Sequence, residues 1–186
     1  FKDLGSRYND SLGILIGPGD DAGLFSAKKT DLIFSTDVSN SNVHFPKSLE
    51  PELIAYRACC VAASDIPACG GTLKWLSITL VTPTTDLNWI KQFAKGIKLF
   101  TKNYKVPVIG GDLIKGRECS VSVGVCGEVD KKNFLSRGGA QADDLIFISG
   151  TLGEARLGLK VLNSKKKNIF KKEKKYLKKF LKPKVH

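Results

Sequence analysis

The sequence predicts an α+β domain, and three observations carry that reading. Short apolar runs bounded by Gly, Pro or Asp recur along the chain as strands do. Two longer segments place apolar residues at helical spacing, and the two kinds of element are mixed rather than strictly alternating. A chain of 186 residues is long enough to bury a core.

Taken in order, Leu12–Ile16 is a strand that ends in Gly17-Pro18-Gly19, and Leu32–Phe34 is a second that runs into Ser35-Thr36-Asp37. Pro51–Ala63 is a helix. Pro51 suits a first turn, where its missing N–H is not needed, and Leu53, Ile54, Ala58 and Val61 fall near one face. Leu76–Val81 is a third strand. Asp86–Asn103 is the clearest helix, with Trp89, Ile90, Phe93, Ile97 and Phe100 on one stripe and Lys91, Lys95, Lys98 and Lys102 on a solvated face. Val106–Ile109 and Val121–Val125 are strands; in the second, Val121, Val123 and Val125 alternate with small residues, so one face is apolar. Small residues after Arg137 mark a boundary between residues 1–138 and 139–186. Beyond it come a strand at Leu145–Ile148, a helix starting near Gly153, and an amphipathic helix over 169–181.

The formal net charge of +12 invites a nucleic-acid reading until its position is considered. Residues 160–186 hold 12 Lys and one Glu, which leaves 18 basic and 17 acidic residues in the rest of the chain. A basic RNA-binding module would need aromatic residues interleaved with basic ones on a sheet face, a pattern the sequence lacks, so no nucleic-acid partner is expected. The tail helix is expected to dock on protein beyond residue 186. Five cysteines, an odd count without a C-x-x-C pair, argue against both a disulfide framework and a zinc site and for reduced thiols, hence a cytoplasmic protein. No apolar stretch approaches the roughly 18 residues of a membrane span. The chain contains no Met and stops at Pro183-Lys-Val-His186 after a helical segment, so sequence is expected beyond both ends.

Four apolar segments end in small residues followed by Asp: LGILIGPGDD (Asp20, Asp21), LIFSTD (Asp37), CVAASD (Asp65) and VPVIGGD (Asp112). Two adjacent carboxylates repel by roughly 4 kcal/mol at ~4 Å and an effective dielectric of about 20, so a neighbouring cation is the natural compensation. Taken singly, each Asp is better explained by a capped turn. The recurrence points to a shared cleft, where Gly and Ser let a phosphate approach the backbone and an all-oxygen donor set suits Mg²⁺. Two nucleotide signatures nearly fit and fail. GPGDDA has dinucleotide-fold glycine spacing, but nine residues between Ala22 and Leu32 are too few for a parallel crossover. GDLIKGRE has Arg117 and Glu118 where a phosphate-binding loop needs Lys and Ser or Thr.

In series, GDDAG, STDVSNSNVHF, ASDIPACGG, VIGGDLIKG, LSRGGAQADDLIFISGTLGEARLGL and FLKPK resemble the thiamine-monophosphate kinase family over nearly the whole chain. The resemblance implies an aminoimidazole ribonucleotide (AIR) synthetase-like N-terminal domain with a mixed or antiparallel sheet and flanking helices, followed by the start of a second α+β domain. It also implies a homodimer in which two such domains form a barrel. The implied reaction is ATP-dependent phosphorylation of thiamine monophosphate to thiamine diphosphate with Mg²⁺. Carried onto this sequence, Asp21, Ser35, Thr36, Asp37, Asp65 and Asp112 are implied as metal ligands. Gly111, Asp112 and Arg137 are implied nucleotide contacts, and His44 a contact of the thiamine phosphate. On its own His44 is equally a surface or core histidine. No catalytic base is implied, because the acceptor is already an anion. Two departures stand out: Asn42 replaces the usual Gly before Val43-His44-Phe45, and Leu113-Ile114 replace Thr-Thr. The family's second acidic cluster is absent from these residues, so they are expected to be inactive by themselves. A sister enzyme of the same fold is the nearest alternative.

Overall fold

In a computed structural model of the chain, the structure describes residues 6–16, 24–25, 31–136, 138–164 and 170–185. A 3-10 turn (Ser6–Tyr8) and short helix α1 (Asn9–Leu12) lead into β1 (Ile14–Ile16), which pairs antiparallel with β2 (Leu24–Phe25). The body follows as β3 (Asp31–Asn40), α2 (Pro51–Ala63), α3 (Asp65–Ala68), β4 (Thr72–Thr82), α4 (Leu87–Tyr104), β5 (Val108–Lys115) and β6 (Ser120–Val129). A 3-10 turn (Lys131–Asn133) and the helices α5 (Glu154–Asn163) and α6 (Lys171–Leu181) complete the described chain.

The main sheet has the order β3-β6-β4-β5, with β6 antiparallel to both neighbours and β4 parallel to β5. Parallel pairing needs a long crossover, and α4 supplies it. The mixed sheet with helices is the expected α+β class. Because the side chains of a strand alternate, Val121, Val123 and Val125 all enter one face. There they meet Leu76, Ile78 and Leu80 of β4 and the helical residues Ile54, Ala58, Phe93, Ile97 and Phe100. The helices approach closely at Gly96, where a Cβ would run into the Glu52 carbonyl oxygen. Asp86 caps α4 by accepting the Asn88 N–H at 2.9 Å.

Two elements differ from the sequence expectation. The second strand is ten residues rather than three, because Ser35–Asn40 continue the ladder with β6 through Val125 to Ser120. Its polar half reads as a loop in sequence because one face of the strand is open to solvent. Leu145–Ile148 form no strand; these residues are 64–94% exposed, and an apolar run without a partner ladder does not make a sheet. The tail helix α6 packs on α5 and α2. Gly158 lets α5 approach the Tyr176 carbonyl, and Glu154 accepts from Lys175 at 2.6 Å. Arg57 of α2 lies 4.4 Å above the buried Phe180 ring, and the Val185 N–H donates to the Tyr104 hydroxyl at 2.9 Å.

Candidate active site

β3 carries three of the expected ligands in succession, and the pleat separates them. Ser35 and Asp37 pair with the buried Val125 and Val123, so they lie on the helix-covered face at the sheet's edge, while Thr36 pairs with Gly124 on the open face. The break between α2 and α3 places Asp65 beside this edge, where its Oδ2 accepts the Ser35 hydroxyl at 2.6 Å. Two residues of strand rise put Asp37 about 7 Å further along. Ser35, Asp37 and Asp65 therefore share one neighbourhood although Asp65 is 30 residues from Ser35.

Gly111 and Asp112 lie at the opposite edge. Asp37, Val123, Ile78 and Gly111 form one row across the four strands, so Asp37 and the Gly111-Asp112 pair are about 14 Å apart, three strand spacings. Gly111 has a φ of 154°, and a Cβ there would run into the Ile78 carbonyl oxygen, which accounts for Gly at this point. Asp112 Oδ1 accepts the Leu113 N–H at 2.7 Å, fixing its carboxylate on the exposed end of β5. Asp21 and Arg137 fall outside the described residues. Among the described residues, no three His, Cys, Asp or Glu side chains converge to hold an ion.

His44 sits in the turn after β3. The Asn40 carbonyl accepts the His44 N–H at 2.9 Å, and the Asn40 N–H donates to His44 Nδ1 at 3.0 Å. With Nδ1 accepting, the neutral ring carries its proton on Nε2 and presents a donor. Asn42 has a φ of 61°, the left-handed region that favours Gly and that Asn tolerates better than most residues. Its departure from the family pattern thus keeps the turn.

Ser77 escapes the sequence reading. Across β6, Ser77 and Thr36 both lean over Gly124. A Cβ on Gly124 would stand 2.6 Å from Ser77 Oγ and 3.3 Å from Thr36 Oγ1. The available signal was a glycine inside an otherwise alternating strand, which marks close approach. Burial pushes the thiols of Cys60, Cys119 and Cys126 up to about 11 and that of Cys59 higher still, so these four stay protonated near neutral pH. Among the described residues no helix is long and apolar enough to cross a membrane.

A mixed four-stranded sheet with helices on one face, and acidic and hydroxyl groups at its edges, defines the class. The chain belongs to the family of AIR synthase related proteins, whose N-terminal domain model matches residues 19–129. Within that class it is similar to thiamine-monophosphate kinases. The one from Buchnera aphidicola subsp. Schizaphis graminum is 38% identical over 150 residues, 80% of this chain and 46% of that protein. A solved structure described as AaThiL complexed with AMPPCP and TMP matches with a TM-score of 0.80 and 33% identity, covering 98% of this chain and 58% of that one. Thiamine-monophosphate kinase from Stenotrophomonas maltophilia gives a TM-score of 0.86 at 29% identity, with coverages of 97% and 59%. The resemblance drawn from the motifs is borne out. The chain spans about half the length of the curated relatives it matches.

Proposed function

We propose that this chain forms the nucleotide- and metal-binding part of an enzyme that phosphorylates thiamine monophosphate with ATP, giving thiamine diphosphate and ADP. The observation that carries the reading is the Ser35–Asp65 hydrogen bond beside Asp37 on β3, which gathers the family-like motifs STD and ASD at one edge. Their donors are all hard oxygens, the set that suits Mg²⁺, and Asp37, Asp65 and Ser35 would hold it, with Asp21 and Asp112 as further ligands; the Thr36 hydroxyl, on the open face, is not one of them. The bound cation would neutralise charge on the transferring phosphoryl group.

The remaining work of the residues is alignment. An oxygen of the acceptor's phosphate forms the new bond to the γ-phosphorus as the bond to the β-phosphate oxygen breaks and ADP departs. That oxygen is already anionic near neutral pH, so no side chain need remove a proton. Gly111 lets the nucleotide approach the β5 backbone, Arg137 offers a donor fork to its phosphates, and His44 Nε2–H meets the acceptor.

The enzyme works in this reading as a homodimer. The open sheet face exposes Leu32 at 45%, Phe34 at 63% and Val38 at 46%, an apolar strip broken by Thr36, of the kind that marks an interface. A second copy laid on that face brings its β5 edge to the β3 edge of the first, uniting Asp37 and Asp112 across the roughly 14 Å that separate them within one chain. Residues 1–138 form the dimerising unit and 139–186 begin a second domain. Five free thiols, four of them buried, suit a reducing cytoplasm.

The test is an assay of the full-length protein with ATP, Mg²⁺ and thiamine monophosphate, separating products by chromatography. Thiamine diphosphate in equal yield with ADP is expected. No product, or phosphate appearing only on another acceptor, overturns the proposal.

A further inference from the structure

A cavity of about 250 Å³ lies between the turn after β3 and α5. Val43, Phe45, Pro46 and Leu159 give it apolar walls; Asn42 and His44 are its polar lining on the turn side and Asn163 on the α5 side. The turn side is fixed, since His44 is held to Asn40 through both its backbone N–H and its Nδ1, leaving Nε2–H as a donor. The α5 side brings a carboxamide, which offers a donor and an acceptor side by side. Asn163 is exposed at the last residue of α5, so nothing in the packing of that helix requires it.

The size and position of the cavity limit what it can take. Whole small-molecule sites run from about 300 to 1,000 Å³, so this one has room for one portion of a ligand. It opens at the end of β3, three residues beyond Asp37, or about 10 Å at about 3.3 Å per residue. An acceptor with its phosphate at the Asp37 edge would lay its far end here.

We propose that α5 supplies a wall of the acceptor site, with the Asn163 carboxamide reading the hydrogen-bonding edge of the acceptor's aminopyrimidine and Leu159 packing on its ring. An asparagine amide reads the adjacent donor and acceptor of adenine in the same way. The assignment rests on the thiamine-monophosphate reading above and makes α5 a specificity element of that site.

Steady-state kinetics on the full-length protein test it, comparing wild type with Asn163→Ala and Leu159→Ala, each checked for an unchanged melting profile. Asn163→Ala is expected to raise KM for thiamine monophosphate about tenfold while kcat and the KM for ATP stay as they were. A thiamine monophosphate analogue with hydrogen in place of the exocyclic amine should lose the same factor with wild type and little more with Asn163→Ala. Leu159→Ala should weaken both acceptors alike. Wild-type turnover with an unchanged KM in Asn163→Ala overturns this inference and leaves the proposed function standing. A fall in ATP affinity together with acceptor affinity also overturns it, by showing a structural role. A wild type that does not phosphorylate thiamine monophosphate overturns both.

Discussion

The two faces of the main sheet are made by the same four strands and do different things. On one, Val121, Val123, Val125, Leu76 and Leu80 are sealed beneath α2 and α4. On the other, Leu32, Phe34 and Val38 stand in solvent beside Thr36, Ser77 and Gly124. The covered face holds the domain together by removing apolar area from water. The open face leaves Leu32, Phe34 and Val38 in solvent and interleaves them with hydroxyls, a composition that suits the proposed interface. The edges, where the two faces meet, carry the acidic residues.

The sharpest way to break this comparison is at an edge. Asp37→Asn is expected to lower phosphoryl transfer by about 100-fold or more while the fold persists, because it removes charge from a preorganised site and no packing. Asp112→Asn should behave likewise. If the edges of two copies meet, mixing the two inactive variants restores about a quarter of the wild-type activity, since half of the dimers are then mixed and each has one intact site. Activity assays on refolded mixtures read this, and no recovery would place both aspartates in one chain's site.

Next in size is the covered face. Phe93 is wholly buried, so Phe93→Ala should cost about 3–5 kcal/mol of stability, read as a shift in denaturant midpoint. On the open face, Phe34→Asp should change the stability of the isolated domain by no more than about 0.5 kcal/mol, yet abolish association in sedimentation experiments. Equal destabilisation by the two substitutions would erase the distinction between the faces.

The smallest effect lies away from the sheet, where α5 meets α6. Lys175, and then Lys179, hold the Glu154 carboxyl below its ordinary value of 4.5, with hydrogen bonding from Lys175 as the main cause. A depressed carboxylate stabilises the fold above its unfolded pKa and loses that contribution as the pH falls through the lower folded value. Helix content and melting measured below pH 4.5 should therefore decline more for the natural chain than for Glu154→Gln, and added salt should narrow the gap. An identical acid response in both would remove the pair's role.

Much of the fold was legible. Pro51–Ala63 and the Phe93, Ile97, Phe100 stripe are local patterns, and α2 and α4 follow them to within a residue or so at either end. The Val121, Val123, Val125 alternation likewise named the core face before any neighbour was known. The length of β3 was not legible, because Ser35–Asn40 become strand only through their ladder with β6, some 80 residues away. Leu145–Ile148 failed the other way: the run has the composition of a strand and finds no partner ladder.

For the site, the chain by itself determined which residue types stand where: aspartates after small residues, hydroxyls beside some of them, and glycines next to others. Those are properties of neighbours in sequence. Only the tertiary structure decided which of them meet, because proximity is set by strand order and register. It joined Ser35 to Asp65, put Asp112 on the far edge of the sheet from Asp37, and brought α5 to the cavity beside His44.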